Sequence, residues 1–376
     1  MHRISYYLIA IIYIINLIHC NSIKKVHLKH PFPSIKYVNS ITIPFNTNFE
    51  NTKVGGLSGI DYDKENNVYY IISDDRSFYN NARFYTASIN ISDSGISDVK
   101  FKSVSTLKNE KGEFFSNYEL NPNLSIDPED IRYDKKRNTI VWVDEGDRVL
   151  SKKDTILKNP TINVADKNGK FISKYEIPEV LFASKNKNGP RRNGVFEGLS
   201  FNDNYSLLYT NTEEPLYEDG EKATLTNGTK IRLFCFDVET KKIKKQFFYT
   251  IEPIDKEPIP KNEFAINGVS ALLYYKENKL FIVERSYSSG VANNSIKLFL
   301  CDLNEIQSID STTKIPVISK KLVLDFNTLD FTIDNIEGIT FGPKIKNGNR
   351  SIICLSDNNF SEKQKTQLIL FELIEN

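Results

Sequence analysis

Apolar and polar positions alternate in short runs along most of the chain, with few stretches at helical spacing. The runs recur in a fixed order. A short pair of residues opens onto an alternating apolar run: Ser58-Gly59 before Ile60-Asp61-Tyr62, Glu129-Asp130 before Ile131-Arg132-Tyr133, and Glu197-Gly198 before Leu199-Ser200-Phe201. Val269-Ser270 then precedes Ala271-Leu272-Leu273, and Glu337-Gly338 precedes Ile339-Thr340-Phe341. The second members Gly59, Asp130, Gly198, Ser270 and Gly338 are 71, 68, 72 and 68 residues apart. A long fixed period is the mark of a repeat architecture.

Each unit continues alike. A polar turn follows at 63–67, 134–138, 202–204 and 276–278, built from residues that favour turns through side-chain hydrogen bonds. Asp61-x-Asp63-x-Glu65 faintly resembles a calcium loop, but without the central Gly and distal Glu it reads as a turn. A second apolar run comes next, at 68–73, 139–143, 206–210, 279–283 and 351–356. Third strands are predicted at 83–89, 231–237, 296–303 and 366–373, and fourth strands at 99–107, 170–177, 244–251 and 320–326. Four antiparallel strands in each of five units predict an all-β, closed β-propeller. The last unit shows no fourth strand. The run at 35–44, ahead of the first unit, can complete it and remove an open edge. The period exceeds the roughly 40–50 residues of compact blades. The expectation is therefore five or six blades, with long segments at 108–126, 146–168, 184–195 and 252–266.

Composition agrees with this reading. Of 376 residues 40% are hydrophobic and 26% charged, enough apolar surface for a core. The net charge of +1 gives no reason to expect nucleic acid as a partner. A monomer is expected. All four His (His2, His19, His27 and His30) precede the repeats, which removes Ser-His-Asp, Cys-His and His-rich zinc chemistry from them. Cys235, Cys301 and Cys354 stand alone in apolar runs and read as buried structural thiols. Arg3 and the apolar run from Ile4 to Ile18 have the form of a signal peptide. The division is signal peptide 1–20, linker 21–33 and propeller domain 34–376, in a secreted or cell-envelope protein. Leu17-Ile18-His19-Cys20 loosely resembles a lipobox, with an atypical His, so membrane attachment through Cys20 stays open. Seven Asn-x-Ser/Thr sequons begin at Asn90, Asn123, Asn204, Asn227, Asn293, Asn349 and Asn359.

In a propeller the first strand of each unit is innermost, and its start shares a face with the end of the second. Glu129, Glu197 and Glu337 then point at one mouth of the central channel. Asp74, Asp75, Asp144, Glu145, Glu213, Glu214, Glu284 and Asp357 ring the same mouth. So many carboxylates cannot all stay ionised without a cation, and Ca²⁺ is the natural partner of an all-oxygen site. Asp74, Glu129, Asp144, Glu197, Glu213, Glu284, Glu337 and Asp357 are the candidate metal ligands. Arg76, Arg285, Arg83 and Arg232, with Lys297, share this face and suit an anionic group. Three plainer readings stand beside these: solvated loop acids, Glu residues that take backbone N–H groups of the next blade, and solvated edge-strand charges at Arg83, Arg232 and Lys297.

Asn193-Gly194-Val195-Phe196-Glu197-Gly198-Leu199-Ser200-Phe201 with Glu213-Glu214-Pro215-Leu216 resembles the phytase-like family, also described as having esterase-like activity. So do Gly56-Leu57-Ser58-Gly59 with Ser73-Asp74-Asp75, and Val283-Glu284-Arg285. The most specific stretches are Asp334-Asn335-Ile336-Glu337-Gly338 and Leu355-Ser356-Asp357-Asn358-Asn359-Phe360 with Gln364 and Thr366. The resemblance runs from about residue 54 to 373 and departs at Val269-Ser270, where no Glu stands. It implies a secreted or envelope propeller related to calcium-dependent phytases. The expected function is metal-assisted hydrolysis of phosphate or other esters. Glu197, Glu337 and Glu129 are the catalytic candidates, and a carboxylate serves as general base. The alternative is a non-catalytic propeller that binds a ligand or protein at the same mouth.

Overall fold

The computed structural model describes residues 32–375 apart from 153 and 346, so the leader, and the linker up to residue 31, lie outside the described residues. Residues Ser34–Glu375 form one unit built almost wholly of strands. Five four-stranded antiparallel sheets follow one another in the chain, and the outer strands of the third and fourth are joined by a parallel bridge at Phe248 and Val317. Their inner strands are Leu57–Asp63, Pro128–Asp134, Phe196–Phe201, Ala265–Lys276 and Asn335–Lys344. Each packs on the next, and Asn335–Lys344 returns to Leu57–Asp63, which closes the ring. The fold is a β-propeller. Apolar layers lie between successive sheets, as where Ile60, Ile71 and Tyr85 of the first sheet meet Ile353, Leu355 and Leu370 of the last.

Ser34–Ile43 pairs antiparallel with Thr366–Ile374, so the N-terminal strand completes the last blade as expected. The second blade differs from expectation. Segment 146–168 holds its third strand, Thr161–Ala165, and a small hairpin, Asp147–Leu150 with Thr155–Lys158. Five apolar-alternating residues inside a polar stretch were too short a signal. The expected turns are present: Asn67, Asn138 and Asn278 adopt φ of 50°, 54° and 60°. Asp63 Oδ1 accepts the backbone N–H of Glu65 and Asn66, as a turn residue and not a calcium ligand would.

The repeated pair at the start of each inner strand is a β-bulge. Register slips there in all five blades, between Leu57 and Gly59, Pro128 and Ile131, Phe196 and Leu199, Val269 and Ala271, and Ile336 and Gly338. A bulge leaves one residue out of the ladder and re-aims its side chain. Small residues are needed beside it because the inner strands nearly touch. A Cβ on Gly59 would meet the Asp130 Cα at 2.7 Å, and one on Gly198 the Leu272 N at 2.6 Å.

Inner-strand side chains then tie each blade to the next. Asp61 Oδ2 accepts Tyr133 N–H at 2.8 Å, Asp130 Oδ2 accepts Leu199 N–H at 2.7 Å, and Ser200 Oγ accepts Tyr274 N–H at 2.8 Å. Ser270 Oγ donates to Ile336 O at 2.7 Å and Thr340 Oγ1 to Asp61 Oδ1 at 3.3 Å, completing the circuit. Arg132 fills the hub. Its guanidinium donates to Ile60 O, Ile131 O, Leu272 O and Ile339 O, from four inner strands, and to Asp130 Oδ1 at 2.9 Å. A buried charge is tolerated only when paired and hydrogen-bonded in this way.

Candidate functional site

The bulges set the floor of a cavity of about 930 Å³ at the end of the channel where the inner strands begin. Glu129, Glu197 and Glu337 occupy the bulges of the second, third and fifth blades and line it. Asp74, Glu145 and Glu213, from just past the ends of second strands, join them with Asp127. Three carboxylate groups have donor oxygens within 4.8 Å of one another: Asp74 with Glu337 and Asp357, Asp127 with Glu129 and Glu145, and Glu145 with Glu197 and Glu213. Glu145 belongs to two of them. Asp357 is fully buried, and its Oδ1 has no hydrogen-bond partner among the described residues.

Two arginines share the space, and Lys363 also lines it. The Arg285 guanidinium lies 2.6 Å from Glu213 Oε1 and 3.9 Å from Glu337 Oε1, with a buried, unpartnered Nε. Arg76 pairs with Asp127. They do not balance the acids. Burial and then mutual repulsion push the carboxyls of Asp74, Glu129, Glu145, Glu197 and Asp357 well above the usual range. Burial also raises Glu213 to about 7, against the pull of Arg285. Glu337 and Asp127 are raised by burial and held back by Arg285 and Arg76 respectively. An all-carboxylate set with an orphaned oxygen and too little positive charge fits a hard divalent cation such as Ca²⁺.

Six of the expected residues, Asp144, Glu284, Arg83, Arg232, Lys297 and Glu214, do not line this cavity. Asp144 Oδ1 takes the backbone N–H groups of Asp127 and Gly146, with Lys158 3.4 Å away, so it shapes the loops behind Asp127. Glu284 accepts from Tyr249 Oη, Glu252 N and Lys320 Nζ on the opposite face of its strand. Its neighbour Arg285 faces the cavity instead, because successive strand residues point to opposite faces. Arg83 is buried against Asp75 at 2.7 Å and the carbonyls of Lys53, Asn80 and Asn81. Arg232 is clamped by both oxygens of Asp219 at 2.6 and 2.7 Å. Loop acids have captured both arginines, which corrects their assignment as anion binders. Lys297 lies 3.7 Å from Asp255, and Glu214 2.5 Å from Lys222. The Glu bulges do not staple the blades, since Asp61, Asp130 and the hydroxyls do. Asp127 was not singled out by the sequence. Its signal is parity: Asp127 stands two before Glu129 as Asn335 stands two before Glu337, where Asn335 Nδ2 donates to Glu337 Oε1 at 2.6 Å.

A family model described as "Phytase-like: Esterase-like activity of phytase" matches residues 52–360. The chain belongs to the phytase-like family. This phytase-like chain also resembles solved structures at low identity. An endo-arabinase from Bacteroides thetaiotaomicron is 15% identical with a TM-score of 0.43, over 88% of this chain and 96% of the other. The native arabinanase of Bacillus subtilis is 14% identical with a TM-score of 0.41, over 84% and 94%. No curated protein sequence matches.

Proposed function

We propose that this phytase-like chain is a secreted or envelope hydrolase of phosphate or other esters that works with Ca²⁺ in the acidic cavity. The observation that supports it is the set of three carboxylate groups with donor oxygens within 4.8 Å, one of them holding the unpartnered Asp357 Oδ1. Asp74, Glu337 and Asp357 would hold one cation, and Asp127, Glu129, Glu145, Glu197 and Glu213 the rest. Bound calcium supplies positive charge that neutralises these carboxylates and polarises an ester oxygen. The chain's own groups do the remainder. The Arg285 guanidinium, which lines the cavity, orients an anionic oxygen of the substrate. Arg76 holds Asp127 in place. A carboxylate accepts a proton from attacking water, and Glu197 and Glu129, whose carboxyls burial and neighbouring acids hold above the usual range, are the candidates among the residues lining the cavity. The test is a screen of phosphate and carboxylic esters in calcium and in chelator, with Glu197→Gln alongside. Calcium-dependent turnover lost in the variant supports the reading. Calcium binding without turnover of any ester leaves a ligand-binding propeller.

A further inference from the structure

We propose that the cavity also has a subsite for an organic ammonium group, formed by Phe264 and Tyr287 at its rim. The inference rests on the cavity being where the substrate binds and adds what the substrate carries: a positively charged head. Phe264 and Tyr287 are 58% and 38% exposed although both are large aromatics. Their rings stand 6.0 Å apart at 41°, an open corner rather than a stack. Both line the cavity. Tyr287 lies two residues beyond Arg285 on one strand, so it shares the face that meets Glu213 and Glu337. Without calcium the cavity wall carries more carboxylates than cations, so the field at the corner is negative; with calcium bound, the two ring faces alone carry the preference for a cation.

Exposed aromatic faces under a negative field favour a cation over a neutral apolar group, because the ring quadrupole attracts positive charge. Another part of the rim already shows this chemistry. The Lys53 ammonium sits 4.4 Å from the Phe45 centroid and 4.5 Å from that of Tyr79, with Phe360 at 5.6 Å. Tyr79 and Phe360 also line the cavity. One rim therefore cages the protein's own ammonium, and the Phe264–Tyr287 corner is built to take one from a ligand.

The experiment compares choline with dimethylbutanol, its neutral isostere with carbon in place of nitrogen, by ligand-observed NMR titration. It is run on the whole chain in calcium and in chelator. Choline is expected to bind roughly three- to thirtyfold more tightly than the isostere, the range of a cation–π contact. Phe264→Ala and Tyr287→Ala should each remove most of that difference, and Tyr287→Phe should keep it. Equal binding of the two probes, no binding of choline, or choline binding indifferent to both alanine variants overturns the subsite. Calcium calorimetry on the same samples reports the floor separately. Loss of calcium binding would sink the metal reading while leaving the choline comparison legible. Both residues are exposed, so unchanged melting temperatures confirm that the variants are folded.

Discussion

Arg285 donates to Glu213 Oε1 at 2.6 Å, so the cation expected to meet substrate is already seated on a carboxylate expected to meet metal. Arg285 and a divalent cation therefore compete for Glu213. Arg285→Ala should tighten calcium binding, by roughly threefold to tenfold for one removed neighbouring charge at a partly buried site. In chelator the same variant should melt lower at neutral pH, since Glu213 loses its partner, by about 1–3 kcal/mol. Calorimetry and melting curves with and without calcium measure both. Weaker calcium binding in the variant would mean that Arg285 organises the metal site.

Glu197 and Glu337 occupy bulges and make no contact to a neighbouring blade's backbone among the hydrogen bonds of the described residues. Glu197→Gln and Glu337→Gln should each lower calcium affinity, roughly tenfold or more, because a hard cation needs the ligand charge. In chelator neither should lose stability, since the swap removes repulsion within a crowded carboxylate group. A lower melting temperature in chelator with unchanged calcium affinity would make these Glu structural.

The ring was legible in the sequence because the bulge imposes its own pattern. A residue freed from the ladder is followed by an apolar run, and close approach demands Gly at 59 and 198. Glu129, Glu197, Glu337, Asp74, Glu213 and Asp357 converge for that reason. Glu284 and Arg285 were not separable, because one residue of register decides which faces the channel. Arg83 and Arg232 were lost for a different reason. Their captors, Asp75 and Asp219, lie 8 and 13 residues away along the chain, and only folding fixes which charge closes on which. Asp127 was missed because it stands ahead of the repeated pair, and two of the groups it meets, Arg76 and Glu145, come from distant parts of the chain.

The closing strand carries a separate expectation. Ser34–Ile43 pairs along Thr366–Ile374, and Ile43 is buried in the layer between the last and first blades. Asn39 adds two hydrogen bonds to the backbone of Ile96 in the first blade, at 2.7 and 2.8 Å. Deleting residues 1–45 should expose the Thr366–Ile374 edge and cause aggregation, visible by light scattering. Deleting residues 1–30 removes no described residue and should leave the melting temperature unchanged. A soluble, monomeric 1–45 deletion would show that the ring closes without this strand.

The carboxylates also fix a direction for the pH dependence. Glu213 titrates at about 7 in the folded chain against 4.5 as its reference value, so the folded state keeps its proton longer. Between those values the folded state binds more protons than the unfolded one, and stability falls as pH rises. For this one group the slope is at most about 1.4 kcal/mol per pH unit, and it is flat below the lower value and above the higher. Asp74, Glu129, Glu145, Glu197 and Asp357 are raised in the same sense and extend the fall. In chelator the melting temperature should therefore drop from mildly acidic to neutral pH. Calcium binds only the ionised carboxylates, so its affinity should rise across the same window, and saturating calcium should flatten or reverse the drop. Calorimetry in buffers of different ionisation enthalpy should show protons released on binding near pH 7. A chelator melting temperature that is level or rises from mildly acidic to neutral pH would mean that these carboxylates are already ionised and solvated, and the crowded cation site would have to be given up.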